Sequence, residues 1–247
     1  MSISSGYPRR YFLFDSFKKY NCLAAFNCDR RDLGFQHNTA IKENRANFLK
    51  KIKVNPLNLI CLQQVHSNRV YLAEKKDRGS GASSYASAIA GYDGIATRDR
   101  SLPLAILTAD CLPVFLLDVK NMAAALVHCG WRGTRDGIAQ AALDMLKNKF
   151  KSRAKDILCG LGPSIRSCCY QVGPEFSDYF SDGLAKRKGK IFFDLAGANL
   201  KQLHAAGILK KNITDSAICT FCRNKYFFSY RKEGGRAGRM MSVIMIK

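Results

Sequence analysis

The sequence predicts a mixed α/β fold: an α+β sandwich in which central mixed sheets are flanked by helices, one domain spanning residues 1–247. Three observations lead there. Short apolar runs recur along the whole chain, as buried strands do. Three longer segments carry helical signals, and no repeat, low-complexity tract or linker divides the chain. At 247 residues the chain is long enough to bury a substantial core.

Taken in order, residues 11–15 and 23–27 read as early strands. Residues 39–52 have helical spacing, with Arg45 and Asn47 expected to face outward and Pro56 following the end. Residues 59–64 form a strand running into His66, and 70–72 continue extended. The glycine- and serine-rich stretch 79–84 reads as a surface loop between two core regions. Residues 104–107 and 114–117 are strands on either side of Cys111, and 123–128 is another. Residues 136–150 hold Ile138, Ala142, Met145, Leu146 and Phe150 on one face, which makes a helix. A buried strand at 157–161 follows. A helix at 196–206 has Asp194 near its start and Gly207 at its end. Residues 227–231 and 240–246 read as two strands joined by a glycine-rich loop.

Composition limits the function classes. With 47% hydrophobic and 24% charged residues the chain is that of a soluble globular protein. Its apolar runs are interrupted by Pro103, Asp110 and Pro113, so they read as strands and not as a membrane span. The first residues lack the basic-then-apolar order of a secretory signal, and a cytoplasmic address is expected. The net charge of +21 favours anionic partners. The lysines and arginines are dispersed, however, and no helix-turn-helix, paired zinc finger or RNA-binding motif accompanies them. We therefore read a solvated basic surface; a basic nucleic-acid-binding protein is the alternative from a different class. An oligomer is allowed by the sequence but not specified.

Ten cysteines in a long chain without an export signal do not suggest a disulfide framework. Cys22, Cys61, Cys159, Cys168 and Cys169 lie in or beside apolar segments, where a reduced cysteine packs as a small hydrophobe. Cys219-Thr220-Phe221-Cys222 is a C-x-x-C without a second pair at zinc-ribbon spacing, so a structural role is expected for it, with a redox dithiol as the alternative.

The chemistry concentrates elsewhere. His66 closes Gln63-Gln64-Val65-His66, Cys111 closes Thr108-Ala109-Asp110-Cys111, and His128 opens His128-Cys129-Gly130-Trp131-Arg132-Gly133. Each ends a strand-like run at a change of direction, where sheet proteins commonly build sites. Two imidazoles and a thiolate are good ligands for zinc, and a fourth position left open marks a catalytic rather than a structural ion. The competing readings are a Cys111 nucleophile with a histidine base, and two core histidines beside a buried cysteine. Cys129, next along the strand, should point to the opposite face. Asp110 is the best-placed carboxylate for orientation or proton transfer, with a turn residue as its plain reading. Arg132, Arg135, Arg231 and Arg239 are candidate anion ligands beside glycine turns. The aromatic run 227–230 could stack on a base, although such residues are more often core.

Together the motifs resemble one family: the bacterial multicopper polyphenol oxidase or laccase-domain proteins, also called purine nucleoside phosphorylases or peptidoglycan editing factors. The similarity runs from about Ile41 to the C-terminus. It includes Glu43-Asn44-Arg45, Gln64-Val65-His66-Ser67, Asp93-Gly94, Thr108-Ala109-Asp110-Cys111-Leu112-Pro113, His128-Cys129-Gly130-Trp131-Arg132-Gly133, Gly162-Pro163-Ser164-Ile165, Cys168-Cys169-Tyr170-Gln171-Val172-Gly173, Phe227-Phe228-Ser229-Tyr230-Arg231 and Gly238-Arg239. The resemblance implies a zinc site on His66, Cys111 and His128, with copper the lesser expectation. It implies phosphorolysis of adenosine and inosine, with methylthioadenosine cleavage and adenosine deamination also attributed to the family. The small-molecule partners would be a purine nucleoside and phosphate, held by arginines such as Arg132 and Arg231, with Asp110 assisting proton transfer. An alternative within the family is removal of a misincorporated serine from muramoyl precursors. The chain departs from the pattern around Cys28 to Phe35, where N-terminal glycine- and serine-containing elements are absent. It departs again at Cys129, where alanine is common, and at Gln171, where glutamate is common.

Overall fold

The computed structural model describes residues 11–35 and 39–247. His37 and the first ten residues, on which the reading of the N-terminus rested, lie outside them. Two six-stranded sheets dominate. The first runs in the order Tyr11–Leu13, Cys22–Asn27, Met240–Ile246, Leu104–Thr108, Ile60–Gln63, Ile89–Ala90. The second runs Ile213–Asp215, Ile157–Leu161, Leu112–Asp118, Ala123–Cys129, Gly94–Thr97, Val70–Leu72. Both are mixed: the first is antiparallel from its Tyr11–Leu13 edge as far as Leu104–Thr108 and parallel beyond it, and the second is antiparallel in its middle with a parallel pair at each edge. A three-stranded sheet of Gln171–Val172, Lys190–Phe193 and Leu184–Arg187 stands apart.

Side-chain alternation explains how the layers stack. On Ala123–Cys129, Ala123, Ala125, Val127 and Cys129 join a core with the helices Ile138–Phe150 and Leu195–Ala205. Ala124 and Leu126 turn to the other face and pack with Ile60, Ile106 and Ile244 of the first sheet and with Phe14, which follows its edge strand. Leu23, Ala25 and Val243 leave that first sheet on its outer side and meet Phe48 and Leu49 of the helix Thr39–Lys51. The result is four layers, helix, sheet, sheet and helices, with the central strands of the two large sheets covered on both faces. That explains why the strands read as continuous apolar runs rather than as alternating ones.

The predicted strands at 104–107, 114–117, 123–128, 157–161 and 240–246 and the three long helices are present. Others differ for identifiable reasons. The run 227–231 is not a strand: Phe227, Phe228 and Ser229 are buried in succession, and a short helix Tyr230–Glu233 follows. Ser229 N–H donates to Glu233 Oε1 and Arg231 N–H donates to Asp110 Oδ2, so side-chain acceptors close a turn where a ladder was expected. Arg45 does not face outward. It is buried, with its guanidinium donating to the carbonyls of Gly34 and Gly81 and lying 4.6 Å from the centre of the Phe35 ring. The helix expected at 136–150 begins two residues later, at Ile138, because Gly137 stands before it with a φ of 77°; a separate helical turn, Trp131–Arg135, precedes it. The strand expected to reach Asp15 stops at Leu13, and Asp15 opens a helical turn, Asp15–Lys18. The helix Leu195–Ala205 starts as expected, with Asp194 accepting from Gly197 N–H at 2.9 Å.

Candidate metal centre

His66, Cys111 and His128 come together at one end of the sandwich, between the two sheets. His66 follows the first-sheet strand Ile60–Gln63. Cys111 lies on the crossover from Leu104–Thr108 in the first sheet to Leu112–Asp118 in the second. His128 shares the parity of Ala124 and Leu126, so it faces the space between the sheets, while Cys129 points into the helical core as expected.

Each ligand is set by its backbone. Beyond Gln63, the Gln64 side chain continues the ladder: its Nε2 donates to Leu107 O and its Oε1 accepts from Leu107 N–H, both at 2.8 Å. The main chain is thus free to turn, and His66 adopts φ 61°. Asp110, immediately before Cys111, has φ 88°. Both positions are in the left-handed region that side chains rarely adopt, and both carry the site.

Asp93 organises the two histidines. It is fully buried, and its carboxylate accepts the backbone N–H groups of Val65, His66 and Ser67 at 3.1, 3.0 and 2.6 Å and the Ser67 hydroxyl at 2.9 Å. Its Oδ1 also lies 2.8 Å from His128 Nδ1. Burial pulls this carboxyl upward, but the bonds from His128 and Ser67 outweigh it and hold it at about 2. With Nδ1 committed to Asp93, His128 has only Nε2 left to turn toward the centre.

The donor set fits a metal ion. The three ligand atoms lie within 4.8 Å of one another, and Cys111 Sγ is 3.8 Å from His66 Nε2. Tetrahedral zinc with bonds of about 2.0–2.3 Å would separate nitrogen and sulfur by about 3.6 Å. The electrostatics agree. Burial pushes the Cys111 thiol up, yet the charge of His128 and hydrogen bonds from both imidazoles hold it down at about 6. Burial works against charge on His128 as well, but the Cys111 thiolate and Asp93 raise it to about 9. A cation would replace the proton that ties this pair together. Among the described residues no fourth histidine, cysteine or carboxylate joins the three, so one coordination position faces the cleft.

That cleft has a volume of about 960 Å³. Arg132, Arg231 and Arg239 line it, as do the aromatic rings of Phe35, Tyr85, Trp131 and Tyr170. Arg132 lies over the Trp131 ring at 4.2 Å, and Arg231 lies 5.2 Å from the Tyr170 ring while donating to Gln171 O. Arg135 is elsewhere, paired with Asp136 at 2.7 Å. Asp110 lines the cleft, but its carboxylate already accepts the Thr220 hydroxyl at 2.5 Å, the Ser229 hydroxyl at 3.0 Å and Arg231 N–H at 2.7 Å. Burial raises its pKa, against the pull of those bonds.

The sequence did not single out Asp93, Gly130 or Tyr170 for a role. Gly130 has a steric one: a Cβ there would stand 2.8 Å from His66 Cδ2 and 3.1 Å from Cys111 Sγ. The expectation that Cys219-x-x-Cys222 stands alone needs correction, because the fold sets Cys168 and Cys169 beside it.

Comparison with known proteins places the architecture in company. Residues 20–247 match the family described as "Multi-copper polyphenol oxidoreductase laccase". The chain is 34% identical over 194 residues to the purine nucleoside phosphorylase YlmD of Geobacillus stearothermophilus, covering 75% of this chain and 71% of that one. It is 31% identical over 216 residues to a protein named adenosine deaminase RL5 from an unknown prokaryotic organism, covering 84% of this chain and 82% of that one. The crystal structure of YlmD from Geobacillus stearothermophilus superposes with a TM-score of 0.92 at 27% identity, over 98% of both chains.

Proposed function

Because this chain belongs to the family described as multi-copper polyphenol oxidoreductase laccase, we propose that it is a zinc-dependent purine nucleoside phosphorylase that also deaminates adenosine. One observation carries the reading: an open His66–Cys111–His128 centre shares a cleft with three arginines and a set of aromatic rings. The centre suits an oxygen ligand, the arginines suit phosphate, and the rings suit a flat base.

Zinc over copper follows from the surroundings. A copper electron-transfer site on two histidines and a cysteine takes a weak axial methionine, and no methionine is among the described residues lining the cleft. Several copper ions would need many more histidines than the four in the chain. When bound, zinc supplies Lewis acidity and brings the pKa of a coordinated water to about 7.

The protein's own groups do the rest. Asp93 fixes the His128 tautomer and seats His66. Arg132, Arg231 and Arg239 hold phosphate oxygens, and their charge favours the dianion. Trp131 and Tyr170 flank the base, and burial keeps the Tyr170 phenol protonated as a donor. In phosphorolysis a phosphate oxygen bonds to ribose C1′ as the C1′–N9 bond breaks, and the base leaves carrying a proton. In deamination water adds at C6 and ammonia leaves. We assign Asp110 to positioning: its three donors tie Cys111 and Arg231 to one wall. We place the protein in the cytoplasm, a reducing compartment in which ten cysteines stay as thiols.

The test is to incubate the purified protein with adenosine or inosine, with and without phosphate, and to chromatograph the products. Base and ribose 1-phosphate should appear with phosphate, and inosine from adenosine without it. Cys111→Ala should abolish both, and Arg231→Ala should raise KM for phosphate about tenfold. No nucleoside product from wild type, or hydrolysis of a seryl-muramoyl precursor instead, would overturn the assignment.

A further inference from the structure

A second cluster of metal-ligating side chains stands apart from the three-ligand centre. The sulfurs of Cys168, Cys169, Cys219 and Cys222 all lie within 4.8 Å of one another. Cys222 Sγ is 3.8 Å from Cys168 Sγ and 3.3 Å from Cys169 Sγ. Four sulfurs bound to one zinc at about 2.3 Å would stand about 3.8 Å apart. From the convergence of these four thiols we propose a tetrathiolate zinc site that fastens one wall of the cleft. It does not depend on the reaction proposed above.

The local chain is built to present sulfur. Residues 164–170 form a turn in which Cys169 N–H and Tyr170 N–H both donate to Arg166 O, at 2.8 and 2.9 Å, so the adjacent cysteines sit on one bend. Residues 219–223 form another, with Arg223 N–H donating to Cys219 O at 2.9 Å. The two turns are joined by a short bridge, Ser164 N–H to Ile218 O at 3.2 Å and Thr220 N–H to Ser164 O at 3.0 Å, and by Arg166 Nε, which donates to Ile218 O at 3.3 Å.

Charge points the same way. Zinc with four thiolates carries two net negative charges, and residues 164–171 and 216–231 contain no aspartate or glutamate. Cations surround the cluster instead. Arg187 donates to Ser167 O beside Cys168, Lys232 lies 5.3 Å from the Phe221 ring between Cys219 and Cys222, and Arg223 follows Cys222. Arg166 also lies here, but Asp215 already pairs with it at 2.7 Å.

The site would act on the cleft through the chain. Ile165 and Tyr170, on the first turn, line the cleft; Thr220, on the second, holds Asp110. A closed four-coordinate ion would clamp these turns together without offering an open position for substrate.

The experiment measures metal per chain in protein purified anaerobically under reductant, by mass spectrometry of dissolved metals. Wild type should carry two zinc ions. Cys111→Ala should carry one, Cys222→Ser one, and the double variant none, while Cys222→His should retain the ion that Cys222→Ser loses. Cobalt added to Cys111→Ala should give the intense thiolate-to-metal and tetrahedral bands of a sulfur-rich site. If Cys222→Ser proves insoluble, Cys111→Ala decides alone, because it leaves all four thiols in place. A metal-free Cys111→Ala chain with an octahedral cobalt spectrum would overturn the site, as would a Cys169–Cys222 disulfide in the anaerobic protein.

Discussion

Replacing Asp93 by asparagine keeps the shape of the side chain and changes one acceptor oxygen into an NH₂ donor. Oδ2 receives Val65 N–H, Ser67 N–H and the Ser67 hydroxyl; Oδ1 receives His66 N–H and His128 Nδ1. If the NH₂ group takes the Oδ2 place, two fixed backbone donors face a donor inside a fully buried pocket. In the Oδ1 place it confronts His66 N–H and drives His128 to the other tautomer, which puts a proton on the nitrogen intended for the metal. Neither orientation satisfies the site. Loss of one such orienting partner costs about 10- to 100-fold in metal affinity, or about 1.4–2.7 kcal/mol. The stranded donors add about 1–3 kcal/mol of lost stability. The assay is a chelator competition for zinc together with thermal unfolding of metal-free protein. Zinc affinity within twofold of wild type, with an unchanged Tm, would refute the assignment of Asp93 as the residue that orients both histidines.

Gly130→Ala places a methyl group against His66 and Cys111, and should reduce kcat/KM about a hundredfold while the far-ultraviolet spectrum is unchanged. Phe115→Ala empties a fully buried position 5.2 Å from the Phe14 ring and should lower unfolding free energy by about 3–5 kcal/mol, read by denaturant titration. Asp118 closes the turn between two central strands by accepting Lys120 N–H, Asn121 N–H and the Asn121 amide. Burial raises its pKa, but hydrogen bonds, including those from Asn121 and Lys120, outweigh it and leave the group lowered. Its contribution is therefore present above the unfolded value of about 3.9 and lost as pH falls through the folded one. Asp118→Asn should be less stable by a constant amount between about pH 5 and 8, and the gap should close below about pH 4 in chemical denaturation.

The ligands were legible because each ends an apolar strand at a turn, a pattern local to a few residues. The layers were legible for the same reason, since continuous apolar runs belong to strands covered on both faces. What escaped depends on partners far along the chain. Asp93 gains its role from N–H groups of Val65, His66 and Ser67, which converge only once His66 takes a left-handed conformation. Arg45 read as a surface cation because nothing in its helix indicates that the carbonyls of Gly34 and Gly81 will surround it. The aromatic run at 227–231 has strand composition, but Asp110 and Glu233 draw its backbone into a helical turn. Cys168 and Cys169 lie some fifty residues before Cys219 and Cys222, and no spacing rule within one knuckle spans that distance.

The strand Met240–Ile246 lies between Cys22–Asn27 and Leu104–Thr108, and it is synthesised after both. Until it arrives, two long apolar strands in a growing chain have no shared neighbour, and each offers an open ladder of amides and carbonyls. The first sheet cannot close progressively from its N-terminal end; it forms when the late strand slots into the gap, a pairing of very high sequence separation and therefore slow. During that interval the nascent chain is at its most adhesive, and chaperone demand should peak there rather than at the metal centre. A shortened chain lacking this strand would leave the first sheet divided in two, with the His66 and Cys111 segments no longer held in register with the rest.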